Sequence, residues 1–388
     1  MAIPLSYNLR NLRVRWRVTL LATLGIALVV AVFVILLSLS SGLRIALRST
    51  GHPDNAIVVQ RGSQSELTSG IGRTNIEFMS VDERVARDAD GRPLASPELV
   101  VMATLPRLLT DENGNVQLRG VTPRAFEVRG GIRIVEGRAF QPGLTEVIVG
   151  ERLPERFRDV SVGSTIRIKQ RDWQVVGIFA AEGGSFESEV WGDLDVMASA
   201  FNRVGGYQSL TVRMADPGQV AAMAADFEKN PRLQVTVKPE RQYYEDQAGP
   251  VGGALLFLAV FVSFIMAIGA VFGAMNTMYA VVAQRTREIG TLRALGFRRR
   301  SILLSFVIES FLIAMVAGGL GCLLALPVNG ITTATGNVTF SELAFAFRIT
   351  AASLAAGVAF AGLMGVFGGL LPAFRAARLP ITSALREA

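Results

Sequence analysis

The chain has 388 residues, half of them apolar, with 39 Lys and Arg against 32 Asp and Glu for a formal net charge of +7. That length and apolar share place it among membrane proteins rather than large soluble enzymes. A single cysteine, Cys322, and a single histidine, His52, exclude an intrachain disulfide, a zinc or haem centre and a cysteine–histidine catalytic pair.

Residues 1–17 are basic at Arg10, Arg13, Arg15 and Arg17, and Leu9, Leu12 and Trp16 share one helical side. This suits an amphipathic helix lying in the cytoplasmic interface. Charge is absent from 18–43, 247–284, 310–341 and 349–374, and a bilayer crossing needs about 20 such residues. Four spans follow: 18–43, the apolar part of 247–284, 301–326 and 349–374. The first uncharged run exceeds the core of a secretory signal, about 7–15 residues, and reads as an uncleaved anchor. Arginines before the first span, at 285–300 and in the 375–388 tail set those three segments on the cytoplasmic side. The short connection 327–348 and the long insertion 44–246 then share the outer side. Because the basic residues stand where topology needs them, the net charge does not argue for nucleic acid.

The insertion alternates strand-like runs with modest helices, which predicts an α/β (α+β) domain, with room for two lobes. Strands are expected at 56–60, 99–104, 116–121, 146–149, 165–170, 173–179, 210–214 and 233–237. Ser80 and Glu83 have capping-box spacing and predict a helix over 80–88; a second is expected from Pro217 to Lys229. The polar stretch 60–75 and the loop 183–188 read as exposed, mobile contacts. Glu240 opens a helical pattern that either continues into the second span, giving a stalk helix of roughly 65–70 Å, or breaks at Gly249, Pro250, Gly252 and Gly253.

Residues 285–300 join the second and third spans. Arg285, Arg287, Arg293, Arg298, Arg299 and Arg300 surround one acid, Glu288. Ile289, Leu292, Leu295 and Phe297 recur at helical spacing, so the segment can form a short amphipathic helix with an apolar edge for a partner, ended by Gly296. Glu309 falls about 13 Å along the third helix from Arg300, inside the apolar zone. There an ionisable group has a pairing or functional role, as a helix–helix hydrogen bond, a snorkelling pair or a proton carrier.

No Walker A loop and no serine–histidine–acid set occurs. Asp193 with Asp195, and Glu187 with Glu189, are read as exposed acids that cap helices or edge strands. Small residues recur at four-residue spacing, Gly269 with Gly273, Ala361 with Gly365 and Gly369, and Ser38 with Gly42, which lets helices approach closely and favours a dimer.

The words Arg287-Glu288-Ile289-Gly290 and Leu292-Arg293-Ala294-Leu295-Gly296 resemble the signature of the permeases related to the macrolide exporter (MacB), the lipoprotein-release permeases and FtsX. Pro372-Ala373, Arg375-Ala376-Ala377-Arg378-Leu379, Pro380-Ile381 and Ala384-Leu385-Arg386 resemble the closing motif of the same family. Gly137-Arg138-Ala139-Phe140, Glu146-Val147-Ile148-Val149-Gly150, Val162-Gly163 and Val175-Val176-Gly177-Ile178-Phe179 resemble the periplasmic core domain of the MacB group.

The resemblance implies a non-catalytic, multi-pass permease subunit of the bacterial inner membrane, both termini cytoplasmic and the large domain periplasmic. It would couple ATP hydrolysis to motion of that domain and drive export. The MacB exporter carries its ATPase ahead of the first span; this chain starts almost at that span, so a separate ABC ATPase subunit in two copies is expected. That subunit would hold ATP and magnesium, and the permease would bind no cofactor of its own. Its contacts would be Arg285, Arg287, Glu288, Ile289, Leu292, Arg293, Leu295, Gly296, Arg298 and Arg299, with Arg375, Arg378 and Arg386 of the tail. A homodimer, a membrane-fusion adaptor and an outer-membrane channel are further expectations. The alternatives are an FtsX-like regulator of a periplasmic cell-wall hydrolase, a lipoprotein-release permease and a membrane-tethered enzyme.

Overall fold

A computed structural model describes residues 16–110, 112–337 and 340–380. In chain order the elements are α1 (Trp16–Arg48), β1 (Asn55–Gln60), β2 (Ile71–Gly72), α2 (Arg73–Ser80), β3 (Ala95–Pro106), β4 (Asn113–Val121) and α3 (Arg124–Arg129). There follow β5 (Arg133–Gly137), β6 (Glu146–Gly150), β7 (Thr165–Ile168), β8 (Arg171–Ala180), β9 (Glu189–Asp193), α4 (Leu194–Ala200), β10 (Gly206–Tyr207), β11 (Ser209–Arg213) and α5 (Val220–Lys229). The remainder are β12 (Val235–Pro239), α6 (Glu240–Gln284), α7 (Thr286–Ala294), α8 (Arg299–Ala325), β13 (Thr332–Asn337), β14 (Phe340–Ala346) and α9 (Ala351–Arg378). The chain divides into two units: one made of the chain up to Gly42, Gly253–Ile331 and the chain from Phe347, the other of Leu43–Gly252 and Thr332–Ala346. The expected interfacial helix before Trp16 and tail residue Arg386 lie outside the described residues.

Among the described residues, α1, α6, α8 and α9 are long and apolar enough to cross a membrane. In a lipid environment apolar side chains gain little by facing each other, so helices associate where small residues let backbones approach. A Cβ at Gly365 or Gly369 would run into Ser310 of α8, and one at Gly318 into Ala361 of α9. Gly321 and Gly357 likewise stand against Ala27, Val30 and Val34 of α1. Gly269 and Gly273 differ: a Cβ on either meets nothing within 4 Å, and both line a shallow groove with Leu21, Gly25 and Thr277.

The second of these units, called the outer unit after the side expected for residues 44–246, is organised by one mixed sheet in the order β12-β1-β11-β3-β4-β9-β6-β8-β5, with β7 also paired to β8. The two lobes expected from the length therefore share a sheet. Strand periodicity sorts its core: Ala56 and Val58 join one apolar cluster with Met79, Leu210, Met223 and Phe227, while Ile57 and Val59 join another with Phe186, Trp191, Tyr243 and Tyr244. Successive side chains point to opposite faces, so both faces of β1 are covered.

Three expectations are corrected. The helix expected at 80–88 lies instead at Arg73–Ser80, because Ile76 and Met79 are its buried residues. The Ser80 hydroxyl donates back to the Ile76 carbonyl, and Asp82 accepts from the Arg84 backbone and guanidinium, which closes a turn. The connection 327–348 is not a bare loop: β13 and β14 pair as a hairpin that belongs with the outer unit. Arg152 donates to the Ala344 carbonyl at 2.7 Å, the Ala344 N–H donates to the Ser188 hydroxyl at 3.1 Å, and Phe345 is 1% exposed. Finally, Glu187 and Glu189 are buried: Glu187 pairs with Arg152 and Glu189 with Arg119. Asp193 does cap α4, accepting from the Val196 N–H.

The centre of the outer unit holds a buried ionic cluster. Arg119 donates to Glu66, Glu98 and Glu189, and Arg129 donates to Glu98 and Glu240. Ser209 and Tyr244 donate to Glu66, Gln117 and Trp191 to Glu189, and the His52 N–H and Asn55 amide to Glu240. Every carboxylate oxygen of the four acids thus has a donor, the condition under which charges are tolerated away from water. Glu66, the residue that tethers the stretch expected to be mobile, is 4% exposed.

Replacing Arg119 with Met removes a donor from Glu66, Glu98 and Glu189 and should destabilise the folded chain by about 3–5 kcal/mol, read from denaturant unfolding followed by tryptophan fluorescence. A pH test separates two of the acids. Burial alone would raise Glu66, but the charge and hydrogen bonds of Arg119, with Arg129, outweigh it and hold the carboxyl at about 2. Its stabilising contribution is therefore complete above the ordinary value of 4.5 and is lost as pH falls towards about 2. Burial dominates at Glu189 and raises its carboxyl, so protonation there favours the folded chain. Glu66→Gln should accordingly flatten the acid limb of a melting-temperature profile, and Glu189→Gln should not.

Candidate functional site

The exposed basic segment between α6 and α8 is the candidate site, and its shape follows from two backbone breaks. At Arg285, φ −111° and ψ 13° interrupt the helix after Gln284, and α7 starts at Thr286. At the other end Gly296 has φ +95°. There the Gly296 N–H donates to the Arg293 carbonyl and the Phe297 N–H to the Leu292 carbonyl, a Schellman ending that needs a left-handed residue. Arg298 then starts α8 in extended backbone.

The faces of α7 are sharply sorted. Ile289 is 2% exposed and packs with Met278, Val282, Ile302, Phe306 and Ala376, so this part of the expected apolar edge turns into the helix bundle. Leu292 and Phe297 are half-buried, whereas Leu295 is 69% exposed. Arg287, Glu288, Thr291, Ala294, Gly296, Arg298, Arg299 and Arg300 are exposed with it. The outward surface is therefore one leucine set among arginines, a surface suited to an acidic partner groove with an apolar floor.

What holds this surface in place is buried. Arg285 and Glu309 are paired at 2.9 Å with side chains 4% and 5% exposed. The same guanidinium reaches Glu288 at 3.0 Å and lies over the Phe306 ring, 5.0 Å from its centroid. Glu309 thus joins α8 to the break between α6 and α7. Arg293 donates to the Ala377 carbonyl at 2.9 Å, tying α7 to the end of α9. In that end Arg375 lies over Tyr279 and Arg378 over Phe374. Ile289, Arg285 and Arg293 thus bring the ends of α6, α7, α8 and α9 into one cluster. The sequence signal for the pairing was present, an acid inside an apolar run facing an arginine-rich turn. Arg293 as a clamp to a carbonyl carried no signal.

The chain matches the family model described as MacB-like periplasmic core domain over residues 19–230 and the one described as FtsX-like permease C-terminal over residues 260–381. It is 30% identical over 283 residues to the pyoverdine export ATP-binding/permease protein PvdT of Pseudomonas fluorescens, covering 66% of this chain and 40% of that protein. It is 28% identical over 414 residues to the macrolide export ATP-binding/permease protein MacB of Bordetella avium, covering 99% of this chain and 59% of that one. The chain thus spans about half the length of these relatives. The periplasmic region of MacB from Actinobacillus actinomycetemcomitans aligns with a TM-score of 0.37 and 11% identity, over 50% of this chain and 92% of that one.

Removing one member of the Arg285–Glu309 pair should cost more than removing both. Glu309→Leu is expected to destabilise the chain in lipid nanodiscs by about 3–5 kcal/mol. The combined Arg285→Met/Glu309→Leu change should recover most of that loss, as read by thermal unfolding in a double-mutant cycle.

Proposed function

Because the chain belongs to the MacB/FtsX-like ABC transporter permease family, we propose that it is the membrane subunit that turns ATP hydrolysis by a separate ATPase into motion of its outer domain. The observation that carries this reading is the continuity of α6, unbroken from Glu240 to Gln284. Its 45 residues make a helix of about 68 Å at 1.5 Å per residue. One end of that helix is buried in the ionic cluster of the outer unit through Glu240. The other adjoins Arg285, which carries α7. A displacement of α7 is transmitted along such a helix because its backbone hydrogen bonds resist axial deformation far more than loops do.

In this reading α7 docks in the ATPase through Leu295, Arg287, Thr291 and Arg298, while Ile289, Arg285 and Glu309 hold the docking helix from behind. Two ATPase copies serve a dimer of permeases and hold ATP and magnesium. The arginine-rich segment lies in the cytoplasm, the outer unit in the periplasm, and the span-forming helices in the inner membrane. Export runs with a membrane-fusion adaptor outside. The FtsX-like match supports a second reading, control of a periplasmic cell-wall hydrolase without transport; the outer partner that copurifies separates the two.

Leu295→Asp with Arg287→Glu places acids on the docking face without touching buried groups. Affinity for the proposed partner ATPase should fall by at least about tenfold, equivalent to about 1.4 kcal/mol, while the monodisperse, folded permease is retained. Unchanged association and unchanged stimulated ATP hydrolysis would refute the docking assignment.

A further inference from the structure

We propose that Glu240 and Arg129 are positioning residues that fuse the roots of α1 and α6 to the outer domain as one rigid lever, so that the joint itself does not hinge during the cycle. Its use in transport rests on the coupling reading above; its rigidity is a property of the chain alone.

Several contacts within the outer unit converge on the joint. Glu240, the first residue of α6, is wholly buried and its carboxylate is taken up by Arg129, by the Asn55 amide at 2.9 Å and by the His52 N–H at 3.0 Å. Arg129 also donates to Glu98 and Thr211, so α6 is tied to β1, β3 and β11 through one guanidinium and one carboxylate. Tyr243 and Tyr244, one turn on, pack with Ile57, Phe179, Phe186 and Trp191.

The root of α1 is held beside them. Leu43, Ala46 and Leu47 are buried, and the Ser185 N–H donates to the Thr50 hydroxyl at 2.6 Å. A Cβ at Gly51 would stand 2.9 Å from the Arg241 backbone nitrogen, so the chain leaving α1 touches the start of α6 with no side chain between them. Arg48 and Glu245 add an exposed pair at 2.7 Å, of small energetic weight. A hinge here would have to pull a carboxylate from three donors and bare it, or the arginine, in an apolar setting, a cost of several kcal/mol per opened charge.

The test measures the joint directly. In a Cys322→Ala background, Ala222→Cys on α5 and Gly249→Cys on α6 are exposed positions for spin labels in the full-length chain in nanodiscs, diluted with unlabelled chain. A single narrow distance is expected, unchanged when the ATPase and ATP are added; Glu240→Ala should broaden it. A distance that shifts with nucleotide, or a Glu240→Ala distribution identical to wild type, would overturn the proposal. Should Glu240→Ala prevent folding, a lock replaces it: a Cβ at Gly184 would stand 3.2 Å from the Thr50 Cα, within reach of a disulfide in Thr50→Cys/Gly184→Cys. Oxidation should leave ATPase stimulation intact, and stimulation lost on oxidation and restored by reductant would refute a rigid joint. Failure of the unmodified chain to bind any ATPase would sink the coupling reading while leaving the distance result standing.

Discussion

The ion pair between Arg129 and Glu240 is the constraint on which the outer unit depends. Burying charge is unfavourable unless every hydrogen-bonding position is filled, and here the filling groups come from β1, β3, β4, β9, β11, α3 and the start of α6. Losing any of these elements leaves a carboxylate or guanidinium without its partner. The cluster therefore enforces a single arrangement of strands that apolar packing alone would hold less selectively. It also makes the first residue of a membrane helix part of the domain core.

A second ionic contact, Arg285 with Glu309, organises the helix ends at the basic segment. The two pairs stand near opposite ends of one unbroken helix, α6. In both, a buried arginine is shared between carboxylates and lies close to an aromatic ring, Phe186 for Arg129 and Phe306 for Arg285. Apolar packing between membrane helices is weakly directional, so ion pairs of this kind supply the orientation that Gly365, Gly369 and Gly318 do not. The small residues set how near the helices come, and the charges set which rotation brings them there.

Much of the architecture was legible because its signals are local. Uncharged runs located the spans, and alternation located most strands, since Ile57 and Val58 must face opposite sides whatever their partners. The helix α2 was misplaced because Ser80 and Glu83 mimic a capping box, while the burial of Ile76 and Met79 against β11 and α5 is a tertiary event. The ionic cluster was illegible: Glu66, Glu98, Arg119, Arg129, Glu189 and Glu240 are scattered along the chain, and each alone reads as a solvated surface residue. At the basic segment the spacing revealed a helix ended by Gly296. It did not reveal which apolar residue faces inward, because Ile289 and Leu295 fit the same periodic pattern and only the position of α8 and α9 separates them.

That separation supplies the most direct test of coupling through α7. A photo-crosslinking amino acid would be placed at Leu295 or, as the internal control, at Ile289 in the full-length permease, and illuminated with the proposed partner ATPase present. Coupling through the exposed face predicts an ATPase adduct from position 295 and none from 289. An adduct from neither position, or equal adducts from both, would contradict it.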